Sequence, residues 1–345
     1  MSNPAVSVLL TTYQRPEYLR LAIKSVLNQY FDHFELIILD DASQDNTEEI
    51  VLSFKDTRIL YIKNKINLGF PSNFKKGISL AKGRYIFLLS DDDCILEPDT
   101  LSSVYKEMEK NKAGFGELGL IFYDNDIGRP YKKSPPAIET IMYFPPKSDI
   151  LLKTSDWHFG FASGNVYRRE LINIDDIIDD VWFSHVQPIY RLVKNYGALY
   201  FGSHHILGRI STSGNIAYLN IKVNKIFHMR KLFDLYKKFD PSSKRLDLFI
   251  KKHLRDGAIA NFAGIKYYTS NKNVINIAQE VIKIRPEYFY NFSFWIHLIT
   301  ALFLPTFVLK IVRNIKIYYE NKQLQIWLHK INYKKKISVI LSKQL

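Results

Sequence analysis

A single cysteine, Cys94, stands among 345 residues, so no disulfide can close within the chain. That economy fits a reducing compartment. A secretory leader is not expected either. The opening MSNPAVSVLLTTYQRP has no basic stretch, and its apolar run is only about six residues long. There is no internal repeat and no low-complexity tract. The apolar share of 47% is ordinary for a folded protein and excludes a largely disordered one. The length allows one sizeable core and a second region.

Acidic residues are scarce in one part only. Residues 216–345 hold 24 Lys and Arg against 7 Asp and Glu, a balance of +17. The remaining 24 basic and 27 acidic residues leave −3 over residues 1–215. The expected division is therefore a near-neutral domain over 1–215 and a basic helical region over 216–345. A basic tail points to nucleic acid or to an anionic membrane surface. It has no glycine-rich or RNP-like signature, which turns the reading away from nucleic acid.

The first part alternates two periodicities. VSVLLTTY (6–13), ELIILD (35–40), RILYI (58–62), RYIFLLS (84–90) and LGLIFYD (118–124) are short apolar runs that read as buried strands. Between them lie helical patterns, one opened by Pro16 and one over 70–83 closed by Gly83 as a C-cap. The stretch 128–149 has five prolines and reads as a mobile loop. FASGNVYRREL (161–171) and residues 182–201 read as a turn-and-helix pair. Alternation of this kind gives βαβ units: an α/β fold, Rossmann-like, with a mostly parallel sheet and helices on both faces. Such sheets bind ligands at the carboxyl ends of their strands. Asp40 and Asp41 end the second strand, and Asp91, Asp92 and Asp93 end the fourth, so both acidic groups fall on that edge.

Three adjacent carboxylates repel one another. A divalent cation, Mg²⁺ or Mn²⁺, relieves that repulsion, because it takes oxygen ligands and shares them with substrate phosphates. A solvated turn before a helix is the plainer alternative for the row taken alone.

Four stretches, VSVLLTTYQRPEYLRLAIKSVLNQ, FELIILDDASQDNTEEI, NLGFPSNFKKGISLAKGRYIFLLSDDD and EPD, together resemble the nucleotide-sugar domain of family 2 glycosyltransferases, the inverting GT-A type. The likeness runs over about residues 5–105. NLG…NF and SGNVYRRE are similar to the branch that adds deoxy- or dideoxyhexoses to O-antigens, the abequosyltransferases. The resemblance implies a nucleoside-diphosphate sugar donor. Thr11 and Tyr13 would line the base pocket, with Tyr13 stacked on the base. Asp41 would accept a hydrogen bond from the base, and Asp92 would meet the ribose or the metal. Asp93 would be the metal ligand of the DxD motif, with Asp91 at its other end. Asn67 and Gly69 would shape the loop after strand three, and Lys75 or Lys76 would meet the diphosphate.

An inverting transfer needs a base for the acceptor hydroxyl. Relatives place an acid six residues before an arginine. Here Arg191 is preceded at that distance by His185, which departs from the pattern but can do the chemistry. Asp180 is the second candidate, with Asp179 beside it. Trp157 and His158 form an acceptor wall or simply pack. His204 and His205 lack a cysteine or acid at metal spacing and are not read as a zinc site.

Residues 292–309 contain no Lys, Arg, Asp or Glu but are interrupted by His297 and Pro305. The next stretch, KIVRNIKIYYENKQLQIWLHKI, spaces apolar residues at three and four between Lys and Arg. Three readings stay open: an in-plane anchor on an anionic membrane, a core-packed hairpin, or a true span. The expectation is an inverting, metal-dependent glycosyltransferase, cytoplasmic and peripheral on the inner face of the cell membrane. It would move a sugar to a hydroxyl of a lipid-linked cell-surface glycan intermediate, such as O-antigen or capsule. A nucleotidyltransferase is the first alternative, but TTYQRPEYL offers no glycine for a phosphate loop. A non-catalytic membrane scaffold is the second, and it has no use for acidic strand ends.

Overall fold

A computed structural model describes residues 3–124, 126–133, 139–148, 161–177, 179, 184–210, 230–268 and 270–342. Asp180, Trp157 and His158 lie outside the described residues. The chain divides into two compact units. The first holds Met1–Ser148, Trp157–Ile210 and Trp327–Leu345; the second holds Asp149–Asp156 and Ser211–Ile326.

The first unit is built on one mixed sheet. Its strands are β1 (Val6–Thr12), β2 (Phe34–Asp40), β3 (Ile59–Lys63), β4 (Tyr85–Ser90), β5 (Cys94–Ile95), β6 (Phe115–Tyr123), β7 (Lys132–Lys133), β8 (Ile141–Phe144), β9 (Asn165–Arg168) and β10 (Ala198–Arg209). The main order is β3-β2-β1-β4-β9-β6-β10-β5, with β7 beside β6 and β8 beside β10. The four strands from β3 to β4 are parallel, and β9 runs antiparallel to both β4 and β6. Chain order reverses between β1 and β4, which is where such sheets hold ligands. Helices α1 (Pro16–Leu27), α2 (Thr47–Leu52), α3 (Gly69–Leu80), α4 (Thr100–Asn111) and α5 (Gln187–Tyr196) accompany the sheet. Helix α1 starts at Pro16, whose missing N–H costs nothing there. It turns Leu19, Ile23 and Val26 into a core shared with Val8, Leu10, Leu36 and Phe87.

Three expectations change. Helix α3 stops at Leu80, before Gly83. Gly83 serves close approach instead, since a Cβ there would fall 2.5 Å from the Ser7 nitrogen. The SGNVYRRE stretch contributes β9, wedged between β4 and β6, where a turn was expected. The proline-rich stretch supplies β7 and β8 to the sheet.

The tail also departs from a single boundary at 215. Helices α6 (Lys244–Gly257), α7 (Phe262–Tyr268), α8 (Asn271–Ile284) and α9 (Phe292–Phe303) belong to the second unit, and α10 (Thr306–Lys330) begins in it. From Trp327 on, including α11 (Tyr333–Ser342), the chain belongs to the first unit. There Trp327, Leu328, Tyr333, Ile337 and Ile340 are buried, and a buried charge is met as well. Glu97 is 5% exposed and accepts hydrogen bonds from the His205 N–H at 2.6 Å and from Lys336 Nζ at 2.8 Å. The His205 ring Nδ1 also lies 3.0 Å from it. Burial alone would raise the Glu97 pKa, but the His205 ring and Lys336 outweigh it and hold the carboxylate ionised. His205 is thus engaged by Glu97 through both its backbone N–H and its ring.

Candidate active site

Three parallel strands end side by side. Thr12 of β1 is in register with Asp40 of β2, and Thr11 with Ser90 of β4. The turns that follow enclose a cleft of about 250 Å³. Thr11, Tyr13, Asp41, Asp91 and Asp92, all singled out in the sequence, line it. Arg15, Phe70 and Asn73 line it too and were not foreseen. Tyr13 is 43% exposed, so its ring is open to a stacking partner.

The three aspartates do different things. Asp91 is buried; its Oδ2 accepts from the Thr12 hydroxyl at 2.8 Å and the Tyr13 N–H at 3.3 Å. Burial and the neighbouring Asp92 charge push its pKa up to about 6. Asp93 is 1% exposed. Its Oδ2 accepts from Ser163 at 2.5 Å and its Oδ1 from the Arg209 N–H at 2.8 Å. Burial raises its pKa well above the usual carboxylate range. Asp93 therefore ties the loop to residues beside β9 and β10 and is not part of the cleft lining. Asp92 is the carboxylate between the two arginines: Arg15 Nη1 at 2.9 Å and Arg209 Nη1 at 3.7 Å.

This donor set fits a divalent cation. Among the described residues no three His, Cys, Asp or Glu side chains are grouped to hold a metal unaided. Asp91 and Asp92 supply two hard oxygen donors, the number Mg²⁺ or Mn²⁺ ordinarily takes from protein when substrate phosphates complete its shell. Burial first and the Asp92 charge second raise the Asp91 pKa, and a cation shared by the two carboxylates would relieve the second.

Asp41 has a second task. Its Oδ1 accepts from the Leu68 N–H at 2.7 Å and from Asn64 at 3.1 Å, and its Oδ2 from the Gly69 N–H at 2.9 Å. Burial works against ionisation, but these donors and Asn73 hold the pKa below the usual range. Asp41 thereby anchors the start of α3, where Gly69 takes a φ of +76° that favours glycine. Asn67 Oδ1 accepts from the same N–H at 3.1 Å and shapes that turn. Lys75 is paired to Asp179 at 3.0 Å and Lys76 to Asn64 at 2.6 Å; neither lines the cleft.

His185 precedes α5 and is 3% exposed. Its carbonyl accepts from the Tyr167 hydroxyl at 2.7 Å. Its ring meets Phe70 edge-on, centroids 5.7 Å apart. Phe70 thus touches both the cleft and the imidazole. Phe70 and Arg15 sit inside the quoted motifs, but nothing local to the sequence says which way either side chain turns.

The sheet, the strand-end cleft and the acidic row define a GT-A fold. A mannosyltransferase from Pyrobaculum calidifontis, solved with GDP-Man and Mn²⁺, matches 99% of this chain and 89% of its own at a TM-score of 0.53 and 14% identity. The family described as Glycosyl transferase family 2 matches residues 7–174. Residues 7–174 are thus similar to a family 2 glycosyltransferase domain. The uncharacterized glycosyltransferase MJ1057 of Methanocaldococcus jannaschii is 40% identical over 126 residues, which is 35% of this chain and 42% of the relative. A Campylobacter jejuni protein, GalNAc(5)-diNAcBac-PP-undecaprenol beta-1,3-glucosyltransferase, is 25% identical over 70% of this chain and 68% of its own. The chain spans between about a third and a half of the first four curated relatives it matches.

Proposed function

We propose that this protein is an inverting glycosyltransferase that moves one sugar from a nucleoside-diphosphate donor to a hydroxyl of a lipid-linked glycan intermediate. One observation carries the reading: Asp92 lines the cleft at the switch point of the sheet, with Asp91 beside it and Tyr13 open above. Thr11 and Tyr13 would receive the base. Asp91 and Asp92 would hold Mn²⁺ or Mg²⁺, which would neutralise charge on the departing diphosphate. Asp93, read from the sequence as the metal ligand, is assigned to supporting that loop.

The acceptor oxygen bonds to the anomeric carbon as the carbon–oxygen bond to the phosphate breaks. The diphosphate leaves with that electron pair. The acceptor proton would go to His185 only once Phe70, which stands between that buried imidazole and the cleft, turns aside and lets the acceptor hydroxyl or a water reach it. Asp180 is the alternative base. The Campylobacter jejuni relative is named for a diphosphoundecaprenol-linked acceptor, which supports a lipid-linked acceptor here. NLG…NF and SGNVYRRE favour a deoxy- or dideoxyhexose donor and an O-antigen or capsule product.

The same reading puts the protein on the inner face of the membrane, as a peripheral protein on anionic lipid. Among the described residues no helix is long and apolar enough to cross. Helix α9 buries Phe294, Leu298 and Ala301 but leaves Phe292 and Phe303 each 79% exposed. Phe307, Ile311 and Ile315 continue the exposed series along α10. From residue 288 to the end the sequence has nine Lys and Arg and one acid, Glu320. Exposed aromatics within a basic segment match an anionic interface.

Thermal shift with UDP, GDP, CDP and dTDP, each with and without Mn²⁺, tests the donor site. A ligand at a hundredfold excess over its Kd stabilises by ~2.7 kcal/mol, a visible shift. A Mn²⁺-dependent shift with one nucleotide is expected; no shift with any refutes the reading.

A further inference from the structure

We propose that Arg15 holds the place of the cation at Asp92 and transfers to the donor diphosphate when cation and donor bind. This rests on the donor-site reading above. Arg15 Nη1 makes both acidic contacts, 2.9 Å to Asp92 Oδ2 and 3.4 Å to Asp91 Oδ1. Its side chain is half exposed, lines the cleft and springs from the residue preceding α1. It is therefore both the neutralising charge of the acidic pair and a group free to swing.

Arg209 gives the contrast. Its guanidinium lies 3.9 Å over the Tyr18 ring, its backbone N–H donates to Asp93, and its side chain is only 14% exposed. It is the fixed cation of the site and stands farther from Asp92, at 3.7 Å. A divalent ion entering at Asp92 would meet Arg15 as a like charge within a few ångströms, so the two compete. The ion arrives with a diphosphate, whose oxygens match the planar guanidinium fork in two parallel hydrogen bonds. Arg15 exchanges one anion for another, and the new partner is the leaving group.

The consequence has opposite signs for two ligands. Removing Arg15 removes a competitor of the bare ion and a partner of the nucleotide. Arg15→Met and Arg15→Lys are compared with the wild type by calorimetry, first with Mn²⁺ alone. The second titration uses whichever of UDP, GDP, CDP or dTDP the wild type binds, at saturating Mn²⁺. Arg15→Met is expected to bind Mn²⁺ alone several-fold tighter and the nucleotide about tenfold weaker. Arg15→Lys, which keeps the charge, is expected to stay near the wild type for Mn²⁺ alone. An unchanged or weaker Mn²⁺ affinity in Arg15→Met, or an unchanged nucleotide affinity, overturns the proposal. If the wild type binds no nucleotide with Mn²⁺, the donor-site reading itself has failed, a result separate from either of these. Melting curves of all three proteins confirm folding, which a half-exposed side chain should not disturb.

Discussion

Ser163 donates a 2.5 Å hydrogen bond to Asp93 Oδ2, and that bond takes the third aspartate of the row out of the cleft. The first consequence is a division of labour between neighbours. Asp92→Asn is expected to lower nucleotide affinity and turnover at least a hundredfold while leaving the melting temperature nearly unchanged. Asp93→Asn and Ser163→Ala are expected to lose about 1–3 kcal/mol of stability, because each leaves a buried polar group without its partner. Melting curves and Mn²⁺-dependent nucleotide binding, measured on all three, separate the roles. Loss of binding without loss of stability in Asp93→Asn would return the metal role to Asp93.

A second buried carboxyl makes stability depend on pH. Glu117 is in register with Asn165 on β9 and Tyr200 on β10, and its Oε2 has no hydrogen-bond partner among the described residues. Burial pushes its pKa from 4.5 up to about 8. Below the lower value the group is neutral in folded and unfolded chains alike. Between the two values the unfolded chain ionises while the fold keeps its proton. Stability from this group therefore falls as pH rises and is fully lost above about 8. Glu117→Gln removes the ionisation at nearly constant shape. Its gain should be a few kcal/mol at pH 8.5 and close to zero near pH 4.5, read from denaturant midpoints. An equal gain at both pH values would show that Glu117 acts through packing.

The strand ends of the site were legible because their signals are local. Apolar runs such as VSVLLTT and FELIILD alternate with helical patterns, and the acids follow directly on the runs. That placed Asp41, Asp91 and Asp92 on one edge, and the resemblance to family 2 glycosyltransferases added Thr11 and Tyr13. Partners distant in sequence were not legible. Asp93 looks like its neighbours until Ser163, 70 residues on, closes over it. Strand β9 carries the polar Asn165 at a fully buried position and is only four residues long, too short for a period to show. Lys336 sits in a basic run that reads as a solvated face, yet it meets a buried acid 239 positions earlier.

That long-range pair yields a third prediction. Lys336→Met leaves Glu97 buried with His205 alone. Losing one member of a buried charged pair costs about 3–5 kcal/mol, reduced here because Lys336 itself is 29% exposed, so about 2–3 kcal/mol is expected. The Glu97 pKa lies below its ordinary value, so this stabilisation is present above that value and fades as pH falls through the folded one. The variant should thus differ most from wild type near neutral pH. Deletion of residues 327–345 should be worse, because it also removes Trp327 from His205. A deletion that melts like the full chain would mean that this segment only decorates the first unit.

The exposed apolar face of α9 and α10 gives the fourth. Flotation with phosphatidylglycerol-containing vesicles should carry the protein upward, and phosphatidylcholine alone should not. Each basic residue near an anionic surface contributes ~1 kcal/mol, screened within about 10 Å at 0.1 M salt, so binding should weaken steeply as salt rises. The double variant Phe303→Ser, Phe307→Ser should lose flotation with an unchanged melting temperature, since both rings already stand in solvent. Phe294→Ser is the contrast: fully buried, it should unfold the second unit. If the wild type stays in the pellet with every vesicle and light scattering shows a dimer that the double variant cannot form, the face joins two copies of the chain, and the peripheral-membrane reading falls while the donor site is untouched.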